Sequence, residues 1–188
     1  MEPLLTSFIA AALAEWGDKT QLLAVALAVR YRRALPVFAG ILVAALLNSG
    51  LSAFGGTLIH GMIIPRAVSL LVGMALVMAG AGALFQARTP EMGAGWRVGP
   101  FLTTAVCFFL LEFGDKTQFV TAAIAAQYDA LALTAIGAAA GIAASNLPAV
   151  LLADRLRTTV PVKGIRMAAG VLFVVAGLVV AISALRLA

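Results

Sequence analysis

The chain has 188 residues, of which 63% are hydrophobic and 11% charged, and its mean hydropathy is +1.07. Soluble domains run to about 45–50% apolar and about 25% charged residues, so there is too little charge here to coat one, and an integral membrane protein is expected. Eighteen Gly and seven Pro without a low-complexity run argue against disorder or collagen, one Cys excludes a disulfide framework, and one His argues against a zinc or haem site.

A helical span needs about 20 apolar residues at about 1.5 Å rise each. Six such spans are expected, over about 4–29, 35–58, 67–86, 99–126, 131–153 and 165–185. The first begins Met1-Glu2-Pro3, without a basic leader, and holds Glu15, Asp18 and Lys19 in its apolar core, so it reads as a span and not a cleaved signal peptide. No transit or lipidation signal is visible. The second span is free of charge and carries Asn48 and Ser49; the third carries Met74 and Met78 on one face. The fourth again has charges near its middle, Glu112, Asp115 and Lys116. The fifth holds Ser145 and Asn146 and the close-packing spacing Gly137-x-x-x-Gly141. The sixth is uncharged after Arg166. A β-barrel is not expected, because these runs are continuously apolar and do not alternate.

The net charge of +5 sits in the loops. Arg30, Arg32, Arg33, Arg88, Arg97, Arg155, Arg157, Lys163 and Arg166 fall on one side, and only Arg66 and Arg186 on the other. The positive-inside rule puts the basic side in the cytoplasm and both termini outside. Orientation accounts for the bias without nucleic acid; contact with anionic lipid headgroups is a secondary role for such loops.

An internal repeat organises the whole chain. Residues 15–21 read E-W-G-D-K-T-Q and residues 112–118 read E-F-G-D-K-T-Q, and at the same offset of 97 Gly73 maps to Gly170 and Gly80 to Gly177. Asn48 maps to Asn146 after a one-residue slip. One transmembrane domain, 1–188, is therefore read as repeat one (1–87), a central loop (88–98) and repeat two (99–188). Three spans per repeat is an odd number, so the two must insert in opposite orientations, as in many secondary transporters whose binding site lies near the midplane.

The motifs fall near that midplane, where each charged residue costs about 2.5–3.5 kcal/mol on insertion scales. Such groups persist if they neutralise one another, meet water or bind an ion. On a regular helix, at about 100° per residue, Glu15, Asp18 and Gln21 share a face with Lys19 at its margin, and Glu112, Asp115, Gln118 and Lys116 repeat the pattern. Gly17 and Gly114 tolerate local unwinding, which Thr20 and Thr117 would need in order to join that face. Four carboxylates and two amide oxygens are hard ligands suited to Mn²⁺, Ca²⁺ or Mg²⁺. Asn48, Ser49, Ser145 and Asn146 could complete the coordination or act as interhelical hydrogen-bond glue. Cys107, His60, Met74 and Met78 read as structural. The plain alternative is that Glu15–Lys19 and Glu112–Lys116 are i,i+4 salt bridges, which would leave Asp18 and Asp115 unmatched.

These residues carry a resemblance. Two copies of E-x-G-D-[KR]-[ST], each in the first span of a three-span repeat, resemble the membrane family of manganese/calcium transporters, which includes bacterial manganese exporters and Golgi cation–proton exchangers, and more distantly the lysine-exporter superfamily. The resemblance covers the whole chain. It implies a cation/H⁺ antiporter, not an enzyme, acting on Mn²⁺ or Ca²⁺ as substrate with no prosthetic group. The motif acids Glu15, Asp18, Glu112 and Asp115 would be ion ligands, and Lys19, Thr20, Lys116 and Thr117 the remaining motif positions; Gln21 and Gln118 come from geometry alone. The short chain, without a long acidic central loop, fits a multi-pass protein of a bacterial plasma membrane. The rival reading is an exporter of small organic solutes such as cationic amino acids, which would need an apolar pocket beside the acids. An intramembrane hydrolase is disfavoured because the lone His60 has no Ser or Cys partner in a span.

Overall fold

A computed structural model describes residues 1–85, 96, 98–155 and 161–185, except the side chain of Asp154. Arg88 and Arg97 of the central loop, and also Arg157 and Arg186, lie outside the described residues. Those residues form α1 (Glu2–Glu15), α2 (Lys19–Tyr31), α3 (Ala34–His60), α4 (Pro65–Leu84), α5 (Pro100–Glu112), α6 (Lys116–Tyr128), α7 (Leu131–Leu152), a short 3-10 turn at Ala153–Arg155, and α8 (Val162–Leu185). The described residues hold helices and no strand, and α3, α4, α7 and α8 are each long and apolar enough to cross a membrane. Pro sits in the first turn of α1, α4 and α5, where its missing N–H has no helical partner to lose.

The unbroken helices expected over 4–29 and 99–126 are not formed. Both are cut inside the repeated motif, at residues 16–18 and 113–115. The backbone explains the cut. Trp16 (φ −67°, ψ 117°) precedes Gly17 (φ +77°), and the Asp18 N–H returns to Glu15 O at 3.1 Å. That is a type II turn, which requires positive φ at its third residue and so favours glycine. Phe113 (φ −62°, ψ 119°), Gly114 (φ +75°) and the 2.9 Å bond from Asp115 N–H to Glu112 O repeat it. The left-handed ends of α2 and α6, Arg32 (φ 50°) and Asp129 (φ 47°), also fall 97 residues apart.

Packing links the first stretch of the chain to the second. α4 crosses α8 through four glycines: a Cβ at Gly73 would lie 2.9 Å from Gly177 O, and one at Gly80 would lie 2.6 Å from Gly170 O. Rising numbers on α4 meet falling numbers on α8, so the two run antiparallel. Elsewhere Gly40 of α3 abuts Phe101 O and Thr104 of α5, while Gly137 of α7 abuts Leu4 O and Ser7 of α1. The core is correspondingly small-residue. Leu23, Ala24, Leu27, Val37, Ile41, Cys107, Phe108, Ala149 and Val150 form one cluster, and the alanines Ala11, Ala45, Ala138 and Ala139 pack around Ile142 in another. Met74 and Met78 lie on the outer face of α4, each 57% exposed, away from the motifs.

The α4–α8 crossing leaves no room for a side chain. Gly80→Ala should force the two backbones apart and lower the thermal midpoint of the detergent-solubilised protein, whereas Gly50→Ala, with nothing within 4 Å, should not. Equal midpoints for the two variants would contradict the packing described.

Candidate ion site

Each motif turn joins the carbonyl end of one short helix to the amide end of the next: α1 to α2, and α5 to α6. The turn is held from inside its own sequence. The Gly17 N–H donates to Gln21 Oε1 at 3.0 Å, and the Gly114 N–H donates to Gln118 Oε1 at 2.8 Å. This is a relative of the capping box, in which a side chain in the first turn reaches back to a free amide. The other end of each amide reaches a neighbouring helix: Gln21 Nε2 donates to Ser145 O at 2.7 Å, and Gln118 Nε2 to Asn48 Oδ1 at 2.9 Å. Each glutamine therefore fixes its turn to the adjoining long helix, with its oxygen already accepting one bond.

The charged pairs cross between the motifs. Lys116 Nζ binds Asp18 Oδ2 and lies 3.8 Å from Asp115 Oδ2, and Lys19 Nζ is 3.1 Å from Asp115 Oδ1. The i,i+4 alternative, Glu15–Lys19 and Glu112–Lys116, is not what forms, because the type II turn interposed between the members of each pair removes the helical register they would need. Among the described residues neither glutamate has an ion-pair partner, and they are the most enclosed acids, Glu15 at 0% and Glu112 at 1% exposure.

Glu15 is supplied with neutral donors. Thr20 Oγ1 donates to its Oε2 and Thr117 Oγ1 to its Oε1, both at 2.5 Å. The turns thus bring in the two threonines that a regular helix would leave off the face. Among the described residues Glu112 has no hydrogen-bond partner on either oxygen. Glu15, Glu112 and Asp115 each place a carboxylate oxygen within 4.8 Å of the others. Asp18 stands aside from that trio, engaged by Lys116.

Of the flanking polar residues, Asn48 donates from Nδ2 to Phe109 O at 3.2 Å, while Ser145 Oγ and Asn146 Nδ2 each donate to Ile142 O at 2.9 Å. Ser49 Oγ and Asn146 Oδ1 are buried without partners. A pocket beside Glu112 is lined by Asn48, Ser49, Ser52, Thr117, Gln118, Thr121 and Ile142. Ser52 and Thr121 were not anticipated; the signal was their place one turn beyond Asn48 and Thr117. Cys107 is buried in the apolar core, and His60 donates from Nδ1 to Ala126 O at 2.6 Å at the far end of α3.

The family profile described as "Divalent cation/proton antiporter GDT1" matches residues 3–91 and 100–187, one segment for each copy of the motif. The chain belongs to this family. A Vibrio cholerae serotype O1 protein named "Putative manganese exporter" is 37% identical over 183 residues, covering 96% of this chain and 91% of that protein. No solved structure matches the chain. Membership of the antiporter family makes the protein a membrane transporter of divalent metal cations, and the buried oxygen-rich cluster lies within both matched segments.

The two turns are not equally crowded. A Cβ at Gly17 would lie 3.0 Å from both Arg166 Cβ and Val162 Cγ1, whereas one at Gly114 would meet nothing within 4 Å. Gly114→Ala should cost only the left-handed strain, about 1–2 kcal/mol. Gly17→Ala should cost that and a clash with α8, so its thermal midpoint in detergent should fall further. A larger loss at Gly114 would refute the packing of α8 on the first turn.

Proposed function

We propose that the chain exports a divalent cation, Mn²⁺ or with less selectivity Ca²⁺, in exchange for protons, and that Glu15, Glu112 and Asp115 hold the ion. The observation that carries this reading is Glu112: a buried carboxylate with no donor among the described residues, close to two other carboxylates, is costly unless a cation or proton neutralises it. The three acids offer carboxylate oxygens within 4.8 Å of one another, close enough for one cation to engage all three. Manganese is favoured by the printed name of the Vibrio relative. Asp18, Lys19 and Lys116 set the local charge, Thr20 and Thr117 both donate to Glu15, and Gln21, Gln118, Asn48, Ser49, Ser145 and Asn146 hold the turns or stand ready to complete the coordination. A cationic amino acid would want an apolar wall beside the acids; the wall beside Glu112 is hydroxyls and amides with one isoleucine.

Charge counting supplies the coupling. Four carboxylates and two ammonium groups leave the motif pair at −2. The crossed lysine–aspartate contacts account for both ammonium groups, so the uncompensated charge rests on the two glutamates. One divalent cation or two protons brings the site to zero, and only the neutral forms cross easily between the two faces of the membrane. Metal then moves outward, protons return, and the empty site does not slip.

The six spans are proposed to form two inverted three-helix repeats in the inner membrane, with both termini outside. The support is the exchange of equivalent contacts: Gly73–Gly177 with Gly170–Gly80, and Gly40–Thr104 with Gly137–Ser7, each pair related by the offset of 97. In that arrangement a cysteine replacing Arg32 reacts with an impermeant reagent only from the cytoplasm, and one replacing Met62 only from outside. Labelling of both from one side would break the topology.

Glu15→Gln, Glu112→Gln and Asp115→Asn should each reduce Mn²⁺ transport by about a hundredfold or more, some 2.7 kcal/mol of lost stabilisation, in protein that still reaches the membrane. In proteoliposomes a pH gradient alone should drive Mn²⁺ accumulation by the parent protein, and clamping the voltage with valinomycin should barely alter it. Flux that follows voltage and ignores the pH gradient would reject electroneutral exchange.

A further inference from the structure

We propose that Ser49, Ser52 and Thr121 line the route by which the divalent cation passes between Glu112 and the membrane face at the C-terminal ends of α3 and α6. The inference rests on the cation-transport reading above. α3 and α6 run in the same direction, since Asn48 meets Gln118, Gly56 meets Ala122, and His60 meets Ala126. Asn48, Ser52, Gly56 and His60 follow one another at intervals of four residues on one face of α3, and Thr117, Thr121 and Ala125 do so on α6.

The hydroxyls on this face present oxygens, not protons. Ser52 Oγ donates to Asn48 O at 2.9 Å and Thr121 Oγ1 to Thr117 O at 2.8 Å, each four residues back on its own helix. That commits the hydroxyl hydrogen to the backbone and leaves the lone pairs free, the polarity a cation needs. Ser49 Oγ is buried and unpartnered in the same pocket, as are both oxygens of Glu112. In this structure the pocket is collapsed and does not admit a water-sized sphere. Beyond it the helices touch backbone to backbone: a Cβ at Gly56 would lie 2.1 Å from Ala122 O. Gly56 is therefore the point of closure, and a small separation of α3 from α6 opens the pocket to that face.

The equivalent path from the other glutamate is apolar where it leaves the motif. The offset of 97 that relates the Gly40 and Gly137 contacts puts Ala149 in the place of Ser52, or Val150 if the slip at Asn48–Asn146 is carried on, and Ala24 in the place of Thr121; all three are buried within the apolar cluster of Leu23, Ile41 and Phe108. An ion leaving by that path meets methyl groups instead of oxygens, at the end of the bundle where Arg32 and Ala34 lie. The two paths differ in chemistry as well as in position.

The test uses a Cys107→Ala background and a small impermeant cationic methanethiosulfonate applied to sealed vesicles of known sidedness. Ser52→Cys and Thr121→Cys should react from the face carrying Gly61–Ile64 and be slowed by Mn²⁺, while Ala149→Cys and Ala24→Cys should not react from that face. Independently, Ser52→Ala with Thr121→Val should bind Mn²⁺ in detergent within about twofold of the parent, yet lower Mn²⁺ flux about tenfold. Unaltered flux, or equal labelling of the serine–threonine and alanine positions, overturns the route. Failure of the parent to bind Mn²⁺ overturns the cation site itself, and the detergent titration separates that result from the first.

Discussion

Uncompensated negative charge in a low-dielectric bundle is the constraint on which the arrangement depends. Placing glutamates at the middle of the bundle is expensive, and the protein meets that cost unequally. The aspartates receive ammonium groups from the opposite motif, Glu15 receives two hydroxyl donors, and Glu112 receives none. The crossed ion pairs also fasten the two turns to each other, and neither motif is neutral alone. Removing one member of such a buried pair leaves an uncompensated charge, which is far more costly than never having had the pair.

The turns are what make the cluster possible. An uninterrupted helix would hold its backbone amides and carbonyls in internal bonds and would leave Thr20 and Thr117 off the face that carries the acids. Breaking the helix at a glycine points the amide end of α2 and of α6, with its partial positive charge, at the acids. The glutamine one turn later captures the exposed glycine N–H, so the break does not leave an unsatisfied donor in an apolar medium.

Much of this was legible in the chain. The charge-free stretches located α3, α4, α7 and α8, and the duplicated E-x-G-D-K-T-Q located the cluster. Gly17 and Gly114 flagged the possibility of unwinding, but periodicity gives no way to tell a tolerated glycine from a required one. Treating the motif as a regular helix therefore put Glu15, Asp18 and Gln21 on one face, whereas the turn sends Asp18 to Lys116 and lets Thr20 reach Glu15. The pairing of Lys19 with Asp115 was hidden because it depends on how the two broken spans meet, which no local spacing encodes. Ser52 and Thr121 were passed over because a hydroxyl in an apolar helix ordinarily bonds its own backbone. Theirs do, and their relevance appears only when the neighbouring helix brings Glu112 to the same pocket.

The glycine crossing of α4 on α8 has a consequence for the history of the molecule. Gly73 meets Gly177 and Gly80 meets Gly170, so each partner presents the same surface to the other. Such a self-complementary contact is what two separate copies of a half-length chain would use in a two-fold, isologous dimer. Joining the copies in one polypeptide replaces a second-order encounter with an intramolecular one. It also releases each copy from having to serve both positions. Ser52 can then stay polar while its counterpart becomes apolar, a divergence that no pair of identical chains could express.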